Sequence, residues 1–453
     1  MAYRLMSALE QLATFVAAHR PDDRARAQVR LHVADTLGAW IAATGTDEGR
    51  ALIKYRTTDL QLSNLVAVNC ALARSSEVDD IHLAAMVTPG AIVIPAALTI
   101  AAALPNENAD DLIAAIVSGY EAMIRLGIAI DGPSVLYRGI WPSYFAAPFG
   151  VTAVYARLAK LDSQQTAHAL ALALIMATPG VGHHTAVTTA RWLAIGHAAA
   201  RGLRAARAAQ AGFTSDLKLA DGDFMKNIYG IVLDVNTLRD GLGEMALGQV
   251  SFKPWCAARQ TMAATQALNE IITEGVAVES IKAIEAAVLP VHLKMIDHGV
   301  TAGDRFSHLT SVQYQMAVAT LNPDSAYRLS APSEAISSSL KSFMACIKVR
   351  ADESLLADGY PKSWPAQVTV VTASGRHERR VSHVPGDPAR ALSENDLRRK
   401  FCRLATPILG ERLADETYSR ALSALDRPPA SLIRDIEKIC EPFMKPRLEG
   451  IVQ

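Results

Sequence analysis

The sequence has no excess of charge of either sign. Its 453 residues include 45 Lys and Arg and 45 Asp and Glu, so the formal net charge is zero. A protein that binds nucleic acid over its whole surface needs a surplus of cations on one face, and we expect no nucleic-acid partner. Half of the residues are hydrophobic. The chain can therefore bury a large core, and its length suggests two or three domains.

Cysteine is scarce, and its five residues are scattered along the chain without a CxxC pair. An odd, sparse set of this kind predicts neither a disulfide framework nor a zinc site and is typical of a reduced intracellular protein. The N-terminal segment carries charges every few residues and lacks the apolar centre of a signal peptide. We therefore expect a cytoplasmic protein.

A long uninterrupted apolar segment is also missing. Two uncharged stretches, 83–106 and 163–190, are both broken by proline and glycine. Neither supplies the roughly 20 consecutive apolar residues that a membrane helix needs. We expect buried helices here and no membrane association.

The recurrent pattern in residues 1–265 is helical. In "DDLIAAIVSGYEAMIRLGIAI", apolar residues return at three- and four-residue steps, and in "RWLAIGHAAARGLRAARAAQAG" the small residues along one side, including Gly196 and Gly202, permit close helix packing. After about residue 275 the pattern becomes mixed, and "PAQVTVVTASGRHERRVSHV" predicts a β-hairpin that turns at Ser374-Gly375. The tail returns to helix. We predict a mainly α protein: a large all-helical domain (1–265, completed by 400–453) with a smaller α+β domain (266–399) inserted.

Carboxylates and an imidazole stand together in "SSEVDDIHLAAMVTPG", where Glu77, Asp79 and Asp80 precede His82 at the start of an apolar stretch. Such groups suit acid–base catalysis, although the acids could instead cap a helix or pair with Arg74, and His82 could belong to the core. Two acids and a histidine could also ligate a divalent ion. No further ligand follows at a known spacing, so we expect no metal.

Several stretches, in the same order along nearly the whole chain, resemble the MmgE/PrpD family, which includes 2-methylcitrate dehydratase, cis-aconitate decarboxylase and iminodisuccinate epimerase. The stretches that carry the resemblance are "VAVNCALARSSEVDD", "VTPGAIVIPAAL", "IVSGYEAMIRLG", "RGIWPSYFAAPFGVTAVYARLAKLD", "ARWLAIGHAAARGLRAARAAQAGFT", "SFKPWCAARQ", "SVQYQMAVATL" and "WPAQVTVVTASGR". The resemblance implies a helical domain with a smaller, lid-like α+β domain and a homodimer. It also implies a small di- or tricarboxylate substrate and neither a metal nor an organic cofactor.

The family's catalytic residues are only partly present. The acidic motif survives as Glu77, Asp79 and Asp80, the loop lysine as Lys253, and the tyrosine of the smaller domain as Tyr314. Elsewhere this chain departs from the family pattern. Thr88 and Trp141 stand at two histidine positions, Arg191 at a lysine position, and Ala194 and Ala258 at two further histidine positions.

Removing a proton next to a carboxylate requires a base, together with cations or donors that stabilise the developing charge. Arg191, Lys253 and Arg259 could bind carboxylates, Tyr314 could donate a proton, and Trp141 could form an apolar wall. The base itself is missing from its usual positions. Its candidate replacements are His82, the pair His183-His184, and the segment that contains His292 and His298.

We therefore predict two groups of site residues. The catalytic candidates are Asp79, Asp80, His82, Lys253 and Tyr314. The substrate-binding candidates are Glu77, Thr88, Trp141, His183, His184 and Arg191.

Three functions remain open at this point. The first is a metal-independent lyase of the dehydratase type that acts on a small hydroxy di- or tricarboxylate. The second is an epimerase or isomerase that uses the same proton abstraction. The third is a catalytically inactive homologue that binds carboxylates.

Overall fold

The computed structural model describes residues 5–104, 108–178, 188–243, 246–330 and 336–444. The chain divides into two compact units. The first unit consists of Met1–Val250 and Glu394–Gln453, and the second consists of Ser251–Ser393. The first is helical and the second contains a small sheet, so the predicted mainly α fold with a smaller α+β domain is confirmed.

Helices form the N-terminal part of the first unit. In chain order they are α1 (Ala8–Ala18), α2 (Asp23–Ala43), α3 (Asp47–Arg56), α4 (Leu62–Ser75), α5 (Gly90–Ala103), α6 (Ala109–Ala129), α7 (Gly132–Leu136), α8 (Pro142–Leu158), α9 (Ser163–Met176), α10 (Ala190–Gln210), α11 (Phe224–Tyr229) and α12 (Val235–Arg239).

Most residues of helix α6 are buried in the core of this unit. It is long and apolar enough to cross a membrane by length and composition, but 94% of its most apolar window is buried inside the protein. That burial is typical of a core helix. The close packing of α6 against α8 depends on Gly119, because a Cβ at this position would lie 2.6 Å from a methyl group of Val154 on α8.

Helix α10 uses its small residues as the sequence suggests. A Cβ at Gly196 would lie 2.1 Å from the Ala67 carbonyl oxygen of α4, and one at Gly202 would lie 2.2 Å from the Pro148 carbonyl oxygen of α8. Real Cβ atoms do not approach backbone so closely. The two glycines therefore allow α10 to pack directly against the backbones of two neighbouring helices.

The second unit combines helices with a four-stranded sheet. Its elements are α13 (Arg259–Thr273), β1 (Ile281–Val288), α14 (Pro290–Ile296), α15 (Arg305–Thr310), α16 (Val312–Leu321), α17 (Ser338–Ala345), β2 (Ile347–Ala351), β3 (Ala366–Thr372) and β4 (Arg376–Val381). The strand order is β2-β1-β3-β4, with β1 parallel to β2 and antiparallel to β3. Strands β3 and β4 form the predicted hairpin, and Thr372 N–H donates to the Gly375 carbonyl across the turn.

The boundary between the units differs from the predicted one, because residues 251–265 belong to the second unit. Helix α13 begins in this segment, and its buried residues Met262 and Leu268 join the same apolar cluster as Val368 and Val370 of β3. The predicted boundary at residue 265 divides α13, because the helical pattern of the preceding residues continues into this helix. The apolar face of the whole helix covers the sheet.

The chain returns to the first unit through α18 (Glu394–Leu409), α19 (Glu411–Leu422) and α20 (Pro429–Met444), a few residues earlier than predicted. A buried ion pair links this segment to α2. Lys400 Nζ lies 2.5 Å from Asp35 Oδ1 and also donates to the Val78 carbonyl at 3.0 Å. Burial raises the pKa of the Asp35 carboxyl, and Lys400 opposes that shift.

Candidate active site

Asp80 lies in the connection between α4 and α5 and is fully buried. Its Oδ2 lies 2.7 Å from His32 Nδ1 and accepts a hydrogen bond from the Tyr120 hydroxyl, also at 2.7 Å. Its Oδ1 accepts from the N–H of Gly90, the first residue of α5, at 2.7 Å. A Cβ at Gly90 would lie 2.7 Å from both carboxylate oxygens, so only glycine permits this contact. Asp80 therefore anchors the start of α5, and its catalytic role stays a prediction.

Arg74, at the end of α4, holds the other two acids of the motif. Its Nη1 lies 2.8 Å from Glu77 Oε2 and 3.3 Å from Asp79 Oδ1, and all three side chains are buried. Burial by itself lowers the pKa of the Arg74 guanidinium, but the Asp79 and Glu77 carboxylates outweigh it, and the net pKa is raised. These two acids therefore pair with Arg74, which is the structural alternative to a catalytic role.

Guanidinium groups and indole rings alternate beside this ion pair. The guanidinium carbon of Arg191 lies 4.5 Å from the ring centroid of Trp141 and 4.8 Å from that of Trp192. The guanidinium of Arg74 lies 6.0 Å from the same Trp192 ring. Cation–π contacts at these distances stabilise a buried charge. Arg191 and Trp141, which the sequence predicts as binding residues, are therefore in direct contact.

His82 occupies a tight turn with a defined ring orientation. Its backbone N–H donates to the Val87 carbonyl, and its Nδ1 accepts the backbone N–H of Ala85 at 3.1 Å. A ring that accepts at Nδ1 carries its proton on Nε2 when it is neutral. Neither ring nitrogen then offers a lone pair to a substrate, so this geometry does not favour His82 as the base.

Thr88 stands at a position where the family pattern has a histidine. Its backbone N–H donates to the Ser143 hydroxyl at 3.0 Å, and the two hydroxyl oxygens lie 3.2 Å apart. Thr88 is buried, and its hydroxyl links the start of α5 to α8.

His183 and His184, predicted as substrate-binding residues, lie outside the described residues.

Lys253 and Tyr314 belong to the second unit. Lys253 is buried in the loop before α13, where Phe252 N–H donates to the Gly386 carbonyl. Tyr314 lies in the first turn of α16, and burial raises the pKa of its phenol although Arg328 partly opposes the shift. The phenol is therefore a proton donor at neutral pH.

Arg259, proposed above as a carboxylate ligand, is paired with a protein carboxylate. Its Nη2 lies 2.7 Å from Asp387 Oδ2, and both side chains are almost fully buried.

His292 packs edge-on against Trp364 with ring centroids 4.9 Å apart. Burial, reinforced by Arg259, lowers the pKa of His292 to about 3. His292 is therefore a neutral core histidine. Both ring nitrogens of His298 lie at hydrogen-bond distance from other residues, Nδ1 from the Gly299 carbonyl and Nε2 from the Thr310 hydroxyl.

Tyr314 lines a cavity of about 260 Å³ that we call the second-unit pocket. It is formed by α15, α16, the segments that follow them and the loop before α13. Its described lining includes Cys256, Arg305, His308, Leu309, Tyr314, Gln315, Val318, Asn322, Ser325, Ala326, Arg328, Leu329, Ser330, Ile336, Ser337 and Leu340. Two guanidinium groups and no carboxylate belong to this described lining, so it is suited to an anion.

Comparison with known families matches two models to this chain. The MmgE/PrpD N-terminal domain matches residues 10–229, and the MmgE/PrpD C-terminal domain matches residues 255–424. The chain belongs to the MmgE/PrpD family. No curated protein matches the sequence closely enough to be reported as a relative.

Within the MmgE/PrpD framework, the predicted residues fall into two groups. Glu77 and Asp79 meet at Arg74, and Arg191 meets Trp141, all in the first unit. Tyr314 lines the second-unit pocket, whereas Lys253 is not among its described lining residues. In the part of the chain that the structure describes, no group of three or more His, Cys, Asp and Glu side chains is arranged to hold a metal ion.

Three charged or titratable residues of this MmgE/PrpD chain lie outside the motif positions from which the site residues were predicted: Arg305, His308 and Arg328. All three line the second-unit pocket with Tyr314. The available signal was local, because "DRFSHLTSVQY" places a cation and an imidazole within ten residues of Tyr314. Motif positions alone give no indication of these three residues.

Proposed function

We propose that this MmgE/PrpD protein is a metal-independent lyase of the dehydratase type, which removes water from a small hydroxy di- or tricarboxylate. Membership of a family that includes dehydratases supports the reaction class. The second-unit pocket supports the substrate class and is the observation that carries the proposal.

The charge of the pocket favours an anionic ligand. Arg305 is buried and Arg328 is exposed, so one guanidinium lies in the wall and the other at the surface. Arginine can bind a carboxylate through two parallel hydrogen bonds. The exposed Arg328 guanidinium therefore suits a substrate that carries a carboxylate.

The size of the pocket favours a small ligand. Its volume of about 260 Å³ lies below the roughly 300–1,000 Å³ of pockets that take drug-sized molecules. A compact hydroxy acid is consistent with that space.

Tyr314 supplies the acid that elimination requires. Because burial raises the pKa of its phenol, the group is protonated at neutral pH and can donate its proton to the departing hydroxyl. The Arg328 guanidinium stabilises the negative charge that develops on the substrate carboxylate when the neighbouring carbon loses its proton.

The test is a panel of hydroxy di- and tricarboxylates incubated with the folded protein, with formation of a conjugated double bond followed by ultraviolet absorbance. We expect turnover of at least one member. Arg328→Gln should raise KM with a smaller effect on kcat, because Arg328 is exposed and its replacement should leave the fold intact. Absence of an unsaturated product across the whole panel would refute the proposal.

Running the same panel in deuterium oxide separates the alternatives. An epimerase or isomerase would incorporate deuterium next to a carboxylate without losing water, whereas a lyase releases water. A non-catalytic homologue would bind a carboxylate by calorimetry and would show neither reaction.

A further inference from the structure

His308 combines burial with a place in the wall of the second-unit pocket. Its side chain is 4% exposed, and it lines the cavity beside Tyr314. The two rings meet edge to face at 90°, with centroids 4.8 Å apart. An imidazole and a protonated phenol therefore lie side by side in a pocket whose described lining is cationic.

The backbone determines which nitrogen of His308 carries the proton. Nδ1 lies 2.8 Å from the Asp304 carbonyl oxygen. A carbonyl oxygen only accepts hydrogen bonds, so Nδ1 must be the donor. In the neutral ring Nε2 then carries the lone pair, which is the arrangement that a general base requires.

Nε2 of His308 is buried and makes no hydrogen bond with any described residue. An unsatisfied buried acceptor is destabilising unless a ligand supplies its hydrogen bond. His292 Nε2 shares this property, but His292 packs against Trp364 and is not among the described residues that line the pocket. His308 combines an unused lone pair with a place beside the proposed acid.

The backbone of His308 is held in position by its neighbours. Gln315 Nε2 donates to the His308 carbonyl at 2.8 Å, and Asp304 caps α15 by accepting from the N–H of Phe306 at 3.1 Å. These contacts fix both ends of α15. The orientation of the imidazole is therefore set before any ligand binds, which is what efficient proton transfer needs.

We propose that His308 is the general base of this protein and replaces the imidazoles that the family pattern places elsewhere; the inference rests on the proposed lyase function. Nε2 takes the proton from the carbon next to a substrate carboxylate. The electron pair of that C–H bond becomes the new carbon–carbon double bond, and the C–O bond breaks with its electron pair on oxygen. Tyr314 protonates the departing hydroxide, and the products are the unsaturated acid and water. Solvent then returns a proton to Tyr314 and removes one from His308.

The experiment compares His308→Gln with His377→Gln, the same replacement at a histidine on β4 that is not among the described residues lining the pocket. With the best substrate of the panel, His308→Gln should lower kcat by roughly 10²–10⁴-fold, the usual contribution of general acid–base catalysis. Its KM should change little. The variant should lose exchange of the substrate C–H proton with deuterium oxide to the same extent as it loses turnover. His377→Gln should retain both activities.

A second variant covers the case in which His308→Gln does not fold. His308→Ala leaves space in the pocket, and added imidazole should restore part of the turnover. Folding of each variant is checked by circular dichroism.

Each remaining outcome overturns the inference. If His308→Gln or His308→Ala folds and retains more than a tenth of wild-type kcat, His308 is not the base while the lyase function stands. If neither variant folds, or if imidazole fails to restore the folded His308→Ala protein, the inference is likewise rejected. If the wild-type protein neither dehydrates nor exchanges any member of the panel, the proposed function fails and the inference falls with it.

Discussion

Replacing Asp80 by Ala should strongly destabilise the first unit. The carboxylate is fully buried and accepts from the Tyr120 hydroxyl and the Gly90 N–H, with His32 Nδ1 at hydrogen-bond distance. Alanine would leave three buried donors without their acceptor. At about 1–3 kcal/mol for each, the loss is roughly 3–9 kcal/mol, a large part of the ~5–15 kcal/mol by which domains are stable.

Asp80→Asn should cost much less. The amide keeps an oxygen for the Gly90 N–H, and the Tyr120 hydroxyl can rotate to accept from the new amide group. We expect a loss of about 1–3 kcal/mol. An Asn variant that is folded but inactive would therefore reveal a catalytic role of Asp80 in addition to its structural one.

The measurement is urea unfolding followed by circular dichroism. The Asp80→Ala substitution is also measured in the Tyr120→Phe background. Without the Tyr120 hydroxyl, Asp80→Ala leaves one fewer buried donor without an acceptor. In that background Asp80→Ala should cost about 1–3 kcal/mol less than in the wild type. If Asp80→Ala were as stable as the wild type within about 1 kcal/mol, the hydrogen bonds of Asp80 would not be what stabilises the start of α5.

Three further predictions follow from particular contacts. His82→Asn keeps an acceptor for the Ala85 N–H and should be more stable to urea than His82→Leu by about 1–2 kcal/mol; equal stabilities would contradict the role assigned to Nδ1. Arg191→Met removes the charge between two indole rings and should shift tryptophan fluorescence and destabilise the protein by about 1–3 kcal/mol, whereas unchanged emission and stability would refute the stacking argument. Because burial lowers the pKa of His292 from 6.5 to about 3, its contribution to stability is complete above pH 6.5 and is lost as the pH falls towards 3, by roughly 3–5 kcal/mol. Denaturant midpoints should show a shallower pH dependence for His292→Phe and an unchanged one for His377→Gln, and identical slopes in all three proteins would rule out His292 as the cause.

Much of the fold was predictable because it depends on periodicity. The helical spacing in "DDLIAAIVSGYEAMIRLGIAI" corresponds to α6, and Ser374-Gly375 turns the β3–β4 hairpin. The boundary at α13 was not predictable in the same way. An amphipathic helix shows which of its faces is buried but not whether helices or a sheet will cover that face.

The candidate site was predictable only where a residue type alone carries the chemistry. The family motif predicted Tyr314, which lines the second-unit pocket with two arginines. The motif could not show that His82 Nδ1 accepts a hydrogen bond from the Ala85 N–H. Nor could it show that His308 Nδ1 donates its proton to the Asp304 carbonyl. Both facts depend on backbone atoms in short turns, which carry no signal in the identity of the residue.

The pairing of Asp35 with Lys400 has a consequence for synthesis of the chain. The two residues are 365 positions apart, and the ribosome adds about 5–20 residues per second. On the order of 20–70 s therefore pass between the emergence of the carboxylate and that of the ammonium group that neutralises it. Throughout that interval the nascent first unit must leave Asp35 hydrated or bury it in its protonated form, so the buried ion pair of α2 with α18 forms only after the whole second unit has been made.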